Sequence, residues 1–139
     1  MRDDIVIEEK LPDPTTFNSL RRSVGWEEHD ANCIELAFRN TRYAVMATDR
    51  EGTVVGFGRV IGDEGMFYYI QDVIVVPEHQ GKGIGNDIMN RLMGFIEVNR
   101  KDKLFVGLMS AKGKEGFYKK FGFTERPDDA CGAGMYREY

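Results

Sequence analysis

The apolar run Ile5-Val6-Ile7 is strand-like and predicts a first β-strand over residues 5–9. Asp13 followed by Pro14 is a cap and first-turn pair for a helix over 15–24, ended by Gly25. A second helix is expected over 30–40, with Ile34, Leu36, Ala37 and Phe38 on or near its inner side. Residues 43–48 and 54–60 read as strands joined by Asp49-Arg50-Glu51-Gly52, a hairpin turn with glycine where a positive φ is needed. Gly62-Asp63-Glu64-Gly65 is a second turn and leads into a long strand over 67–76. That strand ends in Val73-Ile74-Val75-Val76, apolar on both faces, as a strand central in a sheet is. Ile84, Ile88, Leu92, Phe95 and Ile96 then recur at helical spacing, with Met89 and Met93 beside them, and predict a core-facing helix over 84–99. Residues 104–108 read as a short buried strand, 114–120 as a short helix, and 123–126 and 135–137 as two closing strands. The order β-α-α-β-β-β-α-β-α-β-β places antiparallel hairpins early and a βαβ crossover late. The fold class is α/β, a mixed, mostly antiparallel central sheet flanked by helices.

Between the doubly apolar strand and the long helix stands Gln80-Gly81-Lys82-Gly83-Ile84-Gly85. A helix N-terminus carries unpaired amide donors and roughly half a positive charge, so strand, glycine loop and helix together suit a phosphate. Glycine lets a bulky anion approach the backbone because no Cβ intervenes. Lys82 adds a cation inside the loop. A P-loop requires Gly-x-x-x-x-Gly-Lys-Ser/Thr, and no Ser or Thr lies between Pro77 and Arg100. A dinucleotide loop requires Gly-x-Gly-x-x-Gly directly after a first strand, and here Asn86 stands where the third glycine would fall. A glycine turn that merely starts a helix is the bland reading. Three glycines in five residues, flanked by Gln80 and interrupted by Lys82, favour a site for a phosphorylated ligand.

At 139 residues the chain is expected to form one domain, residues 1–139. A net charge of −4 argues against a general nucleic-acid surface and is compatible with a cationic or neutral amine. No apolar stretch approaches the 18 residues of a membrane span, so no membrane partner is expected. Met1-Arg2-Asp3-Asp4 lacks the apolar core of a signal peptide. Cys33 and Cys131 fit neither metal spacing nor a disulfide framework, which points to a cytoplasmic protein, and two histidines make a metal site unexpected.

The stretch Gln71-Asp72-Val73-Ile74-Val75-Val76-Pro77-Glu78-His79-Gln80-Gly81-Lys82-Gly83-Ile84-Gly85 resembles the acetyl-CoA-binding motif of the GNAT superfamily of N-acetyltransferases. Gln80, Gly83 and Gly85 match its pattern, Gln/Arg-x-x-Gly-x-Gly/Ala. Gly116-Phe117-Tyr118-Lys119-Lys120-Phe121-Gly122-Phe123 is similar to the Phe-Tyr-x-Lys-x-Gly-Phe segment near the end of many such domains. The resemblance extends over nearly the whole chain and implies a GNAT-like acyl-CoA N-acyltransferase fold. It implies acetyl-CoA as donor, its pyrophosphate on the amides of residues 81–85, with Lys82, Ile84 and Asn86 in the same cradle. It further implies that the main chain of Ile74, Val75 and Val76 pairs with the pantetheine arm almost as an added strand. The thioester would lie in an opening between this strand and residues 104–108.

Acetyl transfer to an amine needs a neutral amine, a stabilised oxyanion and a protonated leaving thiolate. Tyr118 occupies the family position that gives a proton to the CoA sulfur, and a phenol of pKa near 10 suits that role. A strand amide near Val75 would meet the oxyanion. The family's strand carboxylate would fall near Tyr69, which is no base at neutral pH, so Asp72 becomes the candidate base, against a structural ion pair as the alternative. Trp26 and Tyr69, with Tyr68, are candidates to line the acceptor pocket, although a lone Trp beside a helix end is also ordinary core. Glu27, Glu28 and Asp30 read as a solvated loop, with steering of a cationic amine as the alternative, and Lys112, Lys114, Lys119 and Lys120 as a basic cluster, ordinarily a solvated face, of which one or two could approach the CoA 3′-phosphate. His79 is expected to be exposed. The strand over 135–137 would be an edge able to pair with a second subunit in a homodimer. The expectation is an N-acetyltransferase of a small primary amine working in a ternary complex; a non-catalytic acetyl-CoA-binding sensor or partner module is the alternative.

Overall fold

The structure is a computed structural model and describes residues 4–139; the expectation for Met1-Arg2-Asp3 lies outside the described residues. The elements run β1 (Val6–Glu9), α1 (Pro14–Ser23), α2 (Ala31–Arg39), β2 (Tyr43–Thr48), β3 (Val54–Gly62), β4 (Phe67–Val75), a 3-10 turn (Pro77–His79), α3 (Ile84–Asn99), β5 (Phe105–Gly107) and α4 (Glu115–Lys119). The strands form one sheet in the order β1-β2-β3-β4-β5. Every neighbouring pair is antiparallel except β4 and β5, which are parallel across the α3 crossover.

Local chemistry explains these boundaries. Asp13 accepts the Thr16 amide at 2.7 Å and Pro14 fills the first turn, so α1 starts there. Asp30 starts α2 in the same way, accepting from Asn32 at 3.0 Å. In the β3–β4 turn the Asp63 carboxylate accepts the amides of Phe67, Met66 and Gly65. Those three bonds hold its carboxyl below the ordinary 3.8.

The sheet carries a core on each face. Phe17 and Leu20 of α1 and Ile34 and Phe38 of α2 bury against Ala44, Met46, Phe57 and Ile74. The rings of Phe17 and Phe38 meet edge-on at 5.0 Å, and Phe17 meets Phe57 at 5.7 Å. On the opposite face α3 presents Ile88 and Leu92, both fully buried, to Gly56 and Gly58 of β3. A Cβ at position 58 would stand 2.8 Å from Ile88 Cγ2 and 3.0 Å from Leu92 Cδ1. Glycine here is a hole into which the helix packs.

β4 gains one residue against β3. Phe57 pairs with Ile74 but Arg59 pairs with Gln71, so Asp72 and Val73 together oppose Gly58. Asp72 accommodates the extra residue at φ 59°, the left-handed region. The bulge changes which side chains face which helices. Before it, Tyr68 meets Phe95 of α3, so by alternation Tyr69 faces the α1–α2 side. After it, Val73 lies toward α3, 3.5 Å from a Cβ built on Gly58, while Ile74 belongs to the α1–α2 core.

Contacts divide the chain into two compact units, one running to Leu108 and one covering Met109–Tyr139. In the second, Phe117 meets Tyr118 at 5.0 Å and Phe121 at 5.4 Å, and Tyr118 meets Phe123 at 6.5 Å, all edge-on. The strands expected over 123–126 and 135–137 do not form, and the element order ends at α4. Pro127 removes a ladder donor, and the Asp128 carboxylate accepts the amides of Ala130 and Cys131, folding the chain into a local turn. Met135, Tyr136 and Tyr139 are exposed. No helix among the described residues is long and apolar enough to cross a membrane.

Replacing Gly58 by Ala pushes a methyl into Ile88 and Leu92 and is expected to destabilise the protein by about 1–3 kcal/mol. Thermal unfolding measures it; an unchanged Tm would mean that α3 does not depend on that hole.

Candidate active site

α1 and α2 begin at aspartate caps, but α3 does not. Its N-cap is Gly83 at φ 87°, with no side chain bonded to the first turn. The amides of Ile84, Gly85 and Asn86 therefore have neither a preceding turn nor a cap to satisfy them. Gly81 also lies at positive φ, 78°, and a Cβ there would meet only open space, so backbone conformation rather than crowding requires the glycine. Gly81 and Lys82 are exposed, whereas Ile84 is buried and anchors the helix start in the core. The loop is tied to the strand before it, because Gln80 Nε2 donates to the Val75 carbonyl at 2.9 Å.

The same stretch of β4 has a free edge. β5 pairs only Phe105, Val106 and Gly107 with Phe67, Tyr68 and Tyr69. From Ile70 onward the edge away from β3 has no strand beside it among the described residues. Val76 donates its amide to Val55 of β3 at 2.9 Å. Alternation then turns the Val75 amide and carbonyl toward the free edge, where Gln80 takes the carbonyl. Ile74, Val75 and Val76 thus lie on an open strand edge that connects, through the 3-10 turn and the glycine loop, to a helix start with bare amides.

On the α1–α2 face of β4 the bulge carries a buried ionic cluster. Asp72 is 5% exposed. Its Oδ1 accepts from Arg21 Nη1 at 3.1 Å and its Oδ2 from Arg59 Nε at 2.8 Å. Arg21 Nε donates to the Glu27 carbonyl at 2.6 Å, and Arg59 Nη1 donates to Thr41 Oγ1 at 3.0 Å. The Arg21 guanidinium lies over the rings of Trp26 and Phe17, and that of Arg59 over Phe38. Both oxygens of Asp72 are therefore engaged by cations, which is the ion-pair arrangement.

Trp26 is half-buried against the α1–α2 core and in contact with Arg21, so one chain of contacts links it to Asp72. Tyr69 stands where β5 pairing stops, three positions before Asp72, and burial raises its phenol above the usual 10. Glu28 pairs with Arg22, and Glu27 is exposed, so these carboxylates form a solvated loop edge. That loop is fastened by buried Asn18, which exchanges hydrogen bonds with the His29 main chain at 2.9 and 3.0 Å. His79 departs from expectation: the 3-10 turn folds its ring inward, and Nδ1 is buried with no hydrogen-bond partner among the described residues.

In the second unit Tyr118 sits on α4, and burial raises its phenol above 10. Lys112, Lys114, Lys119 and Lys120 are all exposed; Lys119 pairs with Glu125 at 3.0 Å, and Lys120 lies over Phe117. Arg21 and Arg59 escaped the sequence reading. A signal existed for Arg59, the single charge in the otherwise apolar and glycine run Val54–Gly62. A charge inside a central strand demands a buried partner, and Asp72 is the only acid in β4.

Comparison with known proteins agrees with this geometry. The sequence profile of the acetyltransferase (GNAT) domain matches residues 39–125. An acetyltransferase-like protein of unknown function from Staphylococcus aureus superposes with TM-score 0.88 over 97% of this chain and 99% of its own, at 28% identity. GCN5-related N-acetyltransferase 1, chloroplastic, of Arabidopsis thaliana is 33% identical over 124 residues, 88% of this chain and 61% of the relative. A GNAT family acetyltransferase from Brucella melitensis, solved in complex with acetyl-CoA, shares the fold at TM-score 0.67 and 20% identity over 96% of each chain. The chain spans 61% to 66% of the length of the first curated relatives it matches. With a left-handed glycine at an uncapped helix start, an open β4 edge and a matching domain profile, the chain belongs to the GNAT acetyltransferase family.

Proposed function

We propose that the protein transfers the acetyl group of acetyl-CoA to a primary amine of a small molecule, by direct attack within a ternary complex. One observation carries this reading: the free edge of β4 leads, through the 3-10 turn and the glycine loop, to the uncapped first turn of α3. The pyrophosphate of acetyl-CoA is held by the amides of Gly81, Gly83, Ile84, Gly85 and Asn86, with the Lys82 ammonium beside it. The pantetheine amides pair along Ile74, Val75 and Val76, and the Val75 amide polarises the thioester carbonyl. The free edge supports that role, since it leaves the Val75 N–H without a β5 partner.

The neutral amine nitrogen attacks the thioester carbon, forming the C–N bond as the carbonyl becomes an oxyanion. Collapse breaks the C–S bond, the Tyr118 phenol gives its proton to the sulfur, and the ammonium nitrogen loses its proton to water. Tyr118 supports this role as a group that is protonated at neutral pH and so has a proton to give, and burial raises its phenol further above the usual 10. Trp26 and Tyr69 line the acceptor side. Both oxygens of Asp72 are already occupied, so it serves by holding structure rather than by taking the amine's proton. The edge strand that suggested a second subunit does not form, so no dimer is proposed.

A panel of small amines assayed for thiol release from acetyl-CoA tests the activity. With an accepted amine, Tyr118→Phe is expected to lower kcat about 10²-fold or more while acetyl-CoA affinity stays within about twofold. Equal losses in both would remove the acid role, and thiol release with no amine in the panel would contradict the transferase reading. Alkaline titration of phenolate absorbance, wild type against Tyr118→Phe, is expected to place the Tyr118 transition above pH 10. The sign follows from burial: the folded state keeps the proton after the unfolded chain has lost it. That stabilisation is present below about pH 10 and is lost as pH rises through the folded value. A transition at or below 10 would contradict it.

A further inference from the structure

We infer that Arg21 and Arg59 act through Asp72 as positioning residues that fix which backbone amide of β4 faces the thioester; the inference rests on acetyl-CoA being the donor. The extra residue at Asp72 and Val73 sets the phase of everything after it in β4. Strand groups alternate sides with a period of two residues. With the bulge, Val76 donates to Val55 and the Val75 amide turns to the free edge. Without it, pairing would continue in the Arg59–Gln71 register. The Ile74 amide would then turn outward, and Val75 would bond to β3. A single residue of slip therefore changes the donor offered to the thioester carbonyl.

Left-handed backbone at a non-glycine residue persists where the surroundings over-determine it. Here they do so from two directions. Arg59 reaches Asp72 from β3, on the residue paired with Gln71 just before the bulge. Arg21 reaches it from α1. Each guanidinium has a second anchor on another segment, Thr41 Oγ1 for Arg59 and the Glu27 carbonyl for Arg21. The fork of a guanidinium makes both bonds in one fixed plane, which an ammonium cannot do. The side chains of Arg21, Arg59 and Asp72 are 14%, 12% and 2% exposed, so the clamp is shielded from water and salt. The Glu27 bond also extends it into the loop that carries Trp26, coupling the donor edge to the acceptor side.

The test compares Asp72→Asn, Arg59→Lys and Arg21→Lys with wild type, well below each variant's melting temperature. Acetyl-CoA binding is followed by its shift of Tm and the bound thioester by its infrared carbonyl band. Wild type is expected to bind and to move the carbonyl band to lower frequency, as a polarised carbonyl does. Asp72→Asn is expected to move that band back toward free acetyl-CoA and to lower kcat at least tenfold. Coenzyme A affinity should fall by less than kcat, because the pyrophosphate amides of residues 81–85 are untouched while pantetheine pairing along Ile74, Val75 and Val76 is disturbed. Its kcat/KM profile against pH is expected to keep its shape at reduced height. Arg59→Lys and Arg21→Lys are expected to show the same band shift in smaller measure, and they decide the matter if Asp72→Asn does not fold. A lost limb of the pH profile would make Asp72 a base and overturn the inference. An unmoved carbonyl band and unchanged kcat with a lowered Tm would make the cluster merely structural and also overturn it. Failure of wild type to bind acetyl-CoA would instead remove the donor reading on which it stands.

Discussion

One carboxylate held between two guanidinium groups is the constraint on which the rest of this structure depends. Asp72 sits where β4 takes in an extra residue, and its left-handed backbone is held by Arg21 from α1 and Arg59 from β3. A buried cluster of this kind adds little net stability, because desolvating three charges offsets most of their attraction. What it contributes is register. The bulge lets Tyr69, Asp72 and Ile74 share the α1–α2 face while Tyr68 and Val73 face α3. It also turns the Val75 amide outward, beyond the point at Tyr69 where β5 stops pairing.

The donor end follows from a contrast between helices. Two helices start at aspartates whose side chains bond their own first turns, and α3 starts at a left-handed glycine that has no side chain to do so. A helix start without a cap costs stability, on the order of 1 kcal/mol relative to a good cap, and is retained where a ligand supplies the missing acceptor. Gln80 joins the two parts of the cradle by bonding the Val75 carbonyl. Strand edge and helix start are thus held as one surface for a long, amide-bearing, phosphorylated ligand.

The sequence made some of this legible and hid the rest for physical reasons. Ile84, Ile88, Leu92 and Ile96 repeat with a helical period that has no competing interpretation, so α3 was readable to the residue. Asp13 before Pro14, and Gly52 in the β2–β3 turn, are local rules with local outcomes. The bulge was not readable, because a run apolar on both faces carries no phase to show a slip. Glycine inside a strand ordinarily weakens it, but Gly56 and Gly58 are holes for Ile88 and Leu92, which only the packing partner reveals. Phe123 and the Met135-Tyr136 pair admit a strand in sequence, but a strand needs a ladder partner, and here Asp128 turns the chain on itself.

The most direct measurement is an amide nitrogen–proton NMR titration with acetyl-CoA. The account predicts that the largest shifts fall on Val75, Gly81, Gly83, Gly85 and Asn86, the amides that lack a partner in the free protein. Shifts confined to other residues, or none at saturating acetyl-CoA, would contradict it.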